Sequence, residues 1–166
     1  MITGDFLHWF LTFLISMVPL IELRGAIPYA VGWGLGPDWL YFIVCIVANM
    51  LPVPIIYFFA RKVLEWGADK KVIGKFFSWC LRKGERGGAK LQAKAKHGTF
   101  IALMLFVGIP LPGTGAWTGT LAASMLKMDF KKTVLAVSCG VLIAGIIMFL
   151  ASKGLFGAIG AIFYKG

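Results

Sequence analysis

The stretch PLIELRGAIP, residues 19–28, places Glu22 and Arg24 between two strongly apolar runs. An ionisable side chain at the centre of a membrane costs about 2.5 to 3.5 kcal/mol on insertion scales, so residues of this kind usually have a function. The composition on either side of the stretch decides whether it lies in a membrane.

The composition of the chain is that of an integral membrane protein. Of its 166 residues 59% are apolar and 14% are charged, whereas soluble domains carry about 25% charged residues. The mean hydropathy is +0.84. Two uncharged segments, 39–60 and 133–152, have the roughly 20 residues that a membrane-spanning helix needs. We therefore expect a single membrane domain, residues 1–166, with transmembrane helices at these two places.

The net charge of +10 is explained by where the basic residues lie. Most of the 17 Lys and Arg residues fall in segment 61–97, and others cluster at 127–132. The positive-inside rule puts both segments in the cytoplasm and residues 36–38 outside, in the cytoplasmic (inner) membrane. Within the loop, VIGKFFSWCL at 72–81 has the pattern of an amphipathic helix that binds anionic membrane lipids. We expect no nucleic-acid partner.

Catalytic and metal-binding patterns are missing from the sequence. The cysteines form no CxxC or Cys/His cluster, and no constellation of His, Ser and Asp suggests an active site. We therefore expect no cofactor, no bound metal and no enzymatic activity.

Residues 98–126 have the anatomy of a re-entrant hairpin. This uncharged segment is too short for two spans, and GIPLPGTG at 108–115 interrupts it with residues that stop helices. Each arm of 10 to 11 residues would be roughly 15 Å long at 1.5 Å per residue. Such arms reach the middle of the bilayer and return.

Residues 4–37 share this anatomy, with a break predicted at ELRGAIP. The letters Ile21-Glu-Leu-Arg-Gly25 and Ile109-Pro-Leu-Pro-Gly113 share an I-x-L-x-G core, which is a weak sign of an internal repeat. Because a hairpin plus one span crosses the membrane once, the second copy would be inverted. We expect an all-α inverted repeat whose hairpin tips face each other at the midplane, followed by an amphipathic tail at 153–166.

The candidate site consists of polar residues and helix breakers near these tips. Glu22 is the candidate proton site and Arg24 the candidate ligand for an anionic group, while an ion pair that tethers the tip is the plainer alternative. The other candidates either shape the tips and hydrogen-bond their neighbours or contact the substrate. They are Pro28, Asn49, Pro110, Pro112, Gly113, Thr114, Trp117 and Thr118.

Through ELRGAIP and IPLPGTGAWTG the chain resembles the small multidrug export protein family, a branch of the DedA-type (VTT/SNARE-associated) superfamily of membrane proteins. The resemblance implies two facing re-entrant hairpins and transport across the membrane. The superfamily includes lipid-carrier translocases and scramblases, usually with an arginine in the second motif. Here that motif is uncharged.

We expect a transporter that moves a small amphipathic or anionic substrate across the cytoplasmic membrane, with proton coupling through Glu22. The alternative is a DedA-like flippase or scramblase that moves a lipid or lipid carrier. Two full spans per chain enclose a transport path only thinly, so a homodimer is an alternative to a monomer.

Overall fold

The computed structural model describes residues 2–68, 98–111 and 113–163, and every element in these ranges is helical. Segment 69–97, with the amphipathic helix expected at 72–81, lies outside the described residues, as does Pro112. The helices are α1 (Ile2–Met17), α2 (Glu22–Gly32), α3 (Asp38–Met50), α4 (Pro52–Ala68), α5 (Gly98–Gly108), α6 (Ala116–Met125) and α7 (Phe130–Phe163).

Two helical segments of the described residues are long and apolar enough to cross a membrane, Asp38–Phe59 and Phe130–Leu155. The first runs through α3 and α4, which join at Leu51, where the prolines of NMLPVP interrupt the helix without ending the segment. The second belongs to α7, which begins after Asp129. The Asp129 carboxylate accepts a hydrogen bond from the Lys132 N–H at 3.1 Å and so caps the helix.

The two long segments run antiparallel. At one end the Lys153 ammonium contacts the Asp38 carboxylate at 2.7 Å. At the other end the ring centroids of Tyr57 and Phe130 lie 5.1 Å apart. About 19 residues separate Asp38 from Tyr57, or roughly 29 Å at 1.5 Å per residue, which matches the ~30 Å hydrocarbon core of a bilayer.

The shorter helices end halfway along the long ones. Near the end of α1, the Ser16 hydroxyl donates to the Cys45 carbonyl at 2.6 Å, in the middle of α3. At the end of α5, Gly108 lies so close to α7 that a Cβ there would be 3.3 Å from Ile143. Residue 143 is the middle of Phe130–Leu155.

The break between α1 and α2 lies at residues 18–21, which we name the first turn, rather than at ELRGAIP. The ELRGAIP residues form most of α2, and Pro28 lies inside this helix without ending it. The second turn, residues 109–111 and 113–115, lies where the sequence predicts it. Because residues 22–25 are helical and the described residues of 109–113 are not, the I-x-L-x-G letters do not occupy equivalent positions.

The helices that follow the two turns end in the same way. At the end of α2, the Leu35 N–H donates to the Ala30 carbonyl at 3.0 Å. At the end of α6, the Met128 N–H donates to the Ala123 carbonyl at 3.0 Å. The preceding residues, Gly34 and Lys127, have positive φ in both cases, so each helix ends in a Schellman motif that leads into a long helix.

Small residues allow the helices to pack closely. α5 packs on α7, α1 on α3, α2 on α7 and α6 on α4. Val107 of α5 lies in a notch between Gly119 of α6 and Gly140 of α7, where a Cβ on either glycine would overlap it. Close approach at small residues is typical of helix packing in membranes, where apolar burial gives little driving force.

Large apolar side chains cover the outer faces of the helices. A soluble monomer rarely exposes so much contiguous apolar surface, whereas a membrane protein presents it to lipid. Among the exposed residues of the two long segments are Ile43, Val47, Ile55, Phe58, Phe59, Leu135, Leu142, Ile146 and Leu150.

Some helix boundaries differ from those expected. α4 continues to Ala68, so the first part of segment 61–97 is helical. α7 begins at Phe130 and continues to Phe163, so the helix does not stop at residue 152 before a separate tail. α7 begins earlier than expected because Asp129 caps it at residue 130. It continues past residue 152 because no proline after Asp129 interrupts the helix.

Candidate functional site

The carboxylate of Glu22 caps the N-terminus of α6. Its Oε2 accepts a hydrogen bond from the Ala116 N–H and its Oε1 one from the Trp117 N–H, each at 3.1 Å. The first N–H groups of a helix have no partner inside the helix and favour a negative charge. Glu22, only 3% exposed, therefore supplies a negative charge to this helix end from within the chain.

Gly115 makes this cap possible, because the carboxylate lies where a side chain would be. A Cβ on Gly115 would overlap both Glu22 oxygens. Its φ of 146° is also in the range that side-chain-bearing residues rarely adopt. Glu22 itself has a φ of 53°, a left-handed conformation that costs a non-glycine residue roughly 1–2 kcal/mol. The close approach of the two turns therefore depends on a glycine in the second turn and on a strained residue directly after the first.

The guanidinium of Arg24 binds main-chain oxygens around the second turn. Its Nη1 donates to the carbonyls of Leu111, at 3.1 Å, and Thr114. Its Nη2 donates to the carbonyls of Val107, at 3.1 Å, and Ile109, at 3.3 Å. These carbonyls include ones left free at the C-terminus of α5, where a cation is favourable.

The side chains of Thr114 and Trp117 complete the contact between the turns. The Thr114 hydroxyl contacts Arg24 Nη2 at 3.0 Å and donates to the second turn's own carbonyls. It does not cap α6, whose N-cap residue is Gly115. Trp117 Nε1 donates to the Met17 carbonyl at 3.1 Å, at the C-terminus of α1. The helix after each turn, α2 or α6, thus supplies side chains that bind free helix ends beside the other turn.

Glu22 and Arg24 have separate partners. From the sequence, an ion pair between the two residues that tethers the tip was the plainer alternative. The carboxylate instead binds N–H groups at the start of α6, and the guanidinium binds carbonyls at the end of α5. The two charges still interact electrostatically. Their common effect is to hold the second turn against the first.

An open cavity of about 350 Å³ lies beside the two turns. Arg24 supplies its charged group, and the remaining walls are apolar or main chain. Such a cavity suits a ligand with an apolar body and a polar end. The lining residues are Leu20, Ile21, Arg24, Gly25, Pro110, Leu111 and Met148.

The other predicted site residues have different positions. Pro110 lines the cavity, and Gly113 has a φ of 81° in the second turn. Pro28 lies within α2, and Thr118 makes only a 3.5 Å contact with the Gly115 carbonyl. Asn49 is 1% exposed, and its amide atoms have no hydrogen-bond partner, so no hydrogen bond joins it to either turn.

Most of the groups that Glu22 and Arg24 bind were missed because they belong to the main chain. Any residue type supplies a carbonyl or an N–H, so no sequence letter identifies Val107 or Leu111 as a partner of Arg24. Gly115 is the residue from which this contact could have been predicted. A second glycine directly before a helix indicates that another part of the chain approaches the backbone closely there. Among the described residues, no group of three or more His, Cys, Asp or Glu could hold a metal ion.

Comparison with known protein families matches residues 22–147 to the family described as "Putative small multi-drug export protein". The match begins at Glu22. It includes Arg24 and the main-chain groups that Glu22 and Arg24 bind. No curated protein and no solved structure matches the chain. Together with the two apolar segments, the family indicates a membrane protein, and its name agrees with a role in transport. The chain belongs to the small multi-drug export protein family.

Proposed function

We propose that the protein is a transporter of the cytoplasmic membrane that moves small amphipathic or anionic solutes past the two turns. The observation that carries the proposal is the lock between the turns, in which Glu22 and Arg24 each bind a free helix end of the other hairpin. Ionisable side chains inside a membrane usually mark a transport path.

The depth of the turns supports this function. Both α1 and α5 end beside the middle of a long helix, at Cys45 and Ile143 respectively. In a bilayer these positions are close to the midplane. Irregular backbone is tolerated at that depth only where protein buries it or a cavity adjoins it, and both turns line an open cavity.

An inverted repeat of two re-entrant hairpins accounts for the packing. α2 leads into α3 and α6 leads into α7 through the same Schellman motif, while the long segments run antiparallel. In each half the first arm packs on its own long helix and the second arm on the long helix of the other half. Secondary transporters are commonly built this way, with the substrate site where the broken helices meet.

The distribution of charged residues between the two ends of the long segments supports the predicted topology. Exposed Lys131 and Lys132 lie at the end of α7 where Tyr57 contacts Phe130, and the chain between α4 and α5 leaves from the same end. The opposite end carries the Asp38–Lys153 pair. By the positive-inside rule the basic end faces the cytoplasm and the Asp38 end faces outward.

Glu22 provides a means of proton coupling. As a carboxylate it accepts from two N–H groups and complements the α6 N-terminus. Protonation removes the charge and places a hydrogen on one oxygen, so the carboxyl group becomes a weaker acceptor for the two N–H groups. Proton binding therefore weakens the contact between the turns and favours their separation. An anionic solute would bind Arg24 only after the guanidinium leaves its carbonyls.

The alternative is a lipid flippase or scramblase of the DedA type. The observation that favours it is an open apolar groove of about 400 Å³ between α3 and α7, lined by Trp39, Phe42, Ile146, Phe149 and Leu150. Asp38, paired with Lys153, lies at its edge. An acyl chain would fit such a groove while a headgroup moved past the turns.

Proteoliposomes distinguish the two functions. Purified protein is reconstituted with a trapped pH dye and a fluorescent phospholipid, and empty liposomes are the control. Hexylguanidinium, hexylurea and hexanesulfonate then supply cationic, neutral and anionic solutes with one apolar tail. Proton flux that depends on one of these solutes supports a coupled transporter. Lipid translocation without any gradient supports a scramblase, and neither signal would contradict both proposals.

A further inference from the structure

The oxygens that hold Arg24 form a cage for a cation. Four carbonyls converge on the guanidinium, and the Thr114 hydroxyl adds a fifth oxygen. Each of these groups presents a partial negative charge. We name this set the oxygen cage; its members are the carbonyls of Val107, Ile109, Leu111 and Thr114 and the hydroxyl of Thr114.

The charge around the cage favours a cation. Two of its carbonyls, those of Val107 and Ile109, lie at the C-terminus of α5, where the helix dipole is negative. The Glu22 carboxylate is near enough to interact electrostatically with the guanidinium. Without the charge of Arg24, the cage and Glu22 together would be net negative.

Arg24 has little left to offer an anion. A guanidinium carries five N–H groups, of which four are on the terminal nitrogens. Both terminal nitrogens already donate to cage oxygens. The remaining Nε is buried without a partner. An anion at this position would have to break the existing hydrogen bonds and approach Glu22.

We propose that the oxygen cage is a binding site for solutes that carry a guanidinium or ammonium group, and that Arg24 is a tethered occupant which such a solute displaces. The cavity next to Arg24 receives the rest of the solute, and its apolar walls, including Leu20 and Met148, select an apolar body. Arg24 is only half-buried, so its guanidinium is within reach from the cavity.

This inference names the cargo class of the proposed transporter and rests on that function for its transport consequence. Binding itself does not depend on transport. A protein that binds such cations and moves none would contradict the proposed function and leave the site intact. A transporter that moves only anions would contradict the site.

Chemical rescue of Arg24→Ala tests the cage. The variant keeps every cage oxygen and removes the occupant. We expect it to unfold at a lower temperature than wild type in detergent, and methylguanidinium to restore stability in a saturable way at constant ionic strength. Urea, which has a similar shape without the charge, should not do so. Lys131→Ala, which loses an equal charge at an exposed position, should show no rescue.

The competition between Arg24 and a solute for the oxygen cage can be measured by comparing the affinity of wild type and of Arg24→Ala for methylguanidinium. If Arg24 leaves the cage free a tenth of the time, methylguanidinium binds wild type about tenfold more weakly than it binds Arg24→Ala. Equal stabilisation by urea, equal stabilisation of Lys131→Ala or no stabilisation of Arg24→Ala would overturn the proposal. If Arg24→Ala does not fold, calorimetry on wild type with hexylguanidinium and hexanesulfonate decides. Binding of the cation supports the cage, and tighter binding of the anion, or no binding of the cation, contradicts it.

Discussion

The carboxylate of Glu22 accepts a hydrogen bond from the main-chain N–H of Ala116, so a side chain beside one turn caps a helix 94 residues later in the chain. Together with the bond from the Trp117 N–H, this cap holds two irregular segments face to face. The charged residues in the apolar PLIELRGAIP stretch therefore have a structural role, which the proposed transport cycle uses.

Gly115→Ala should break this cap. The new Cβ would overlap the Glu22 carboxylate, and hydrogen bonds to a charged group are worth about 1.5–3 kcal/mol each. We expect the free energy of unfolding in detergent to fall by about 3–6 kcal/mol, since two such bonds are lost. A denaturant titration with purified protein measures it.

Gly113→Ala is the matched control for that substitution. Gly113 also has a positive φ, but a Cβ there would meet nothing within 4 Å. It should cost only the left-handed backbone conformation, about 1–2 kcal/mol. Equal losses in the two variants would show that the contact with Glu22 adds nothing.

The separate partners of Glu22 and Arg24 predict the outcome of a double-mutant experiment. Were the two residues only an ion pair, Glu22→Gln with Arg24→Gln would restore stability, because both buried charges disappear together. The structure gives the carboxylate N–H partners and the guanidinium carbonyl partners. We therefore expect the double variant to be no more stable than the less stable single variant. Stability near that of wild type would contradict the separate roles.

Gly140→Ala tests the packing of α5 on α7. A Cβ at Gly140 would lie 2.7 Å from the Met104 carbonyl oxygen, which belongs to the main chain and cannot easily move. Overpacking of this kind costs about 1–3 kcal/mol. Gly154→Ala in the same helix meets nothing within 4 Å and should instead stabilise the helix by up to about 1 kcal/mol. Thermal unfolding of both variants gives the comparison, and equal shifts would contradict the packing.

The topology is tested with single cysteines at Gly36 and Lys131, both exposed, after replacement of the native cysteines. In intact cells we expect a membrane-impermeant thiol reagent to label Gly36→Cys from outside and to label Lys131→Cys only after the membrane is opened. The reverse pattern would invert the proposed orientation.

Hydropathy and turn chemistry predicted a large part of the fold. The uncharged segments became long helices because length and apolarity suffice to specify a span, and GIPLPGTG became a turn because prolines and glycines stop helices. ELRGAIP was wrongly predicted to be a break. A single Gly25 and a single Pro28 are tolerated inside α2, and the break occurs one turn earlier.

Only the charged side chains of the candidate site could be predicted from the sequence. Glu22 and Arg24 stand out in an apolar chain, and both lie where the turns meet. Their partners are main-chain groups of a segment far away in sequence. The cap on α6 exists only because two separate hairpins pack together, so no local pattern reveals it.

The central claim is that the lock between the two turns must open for a solute to pass. Leu20 and Leu111 line the same cavity from opposite turns, so a bifunctional thiol reagent with a disulfide in its spacer should link cysteines placed at both positions in a cysteine-free background. Solute-dependent proton flux is measured in proteoliposomes with hexylguanidinium and hexanesulfonate, before and after reduction, with mass spectrometry to verify the bond. We expect the disulfide link to stop flux and a reductant to restore it. Equal flux in the linked and in the reduced protein would contradict this claim.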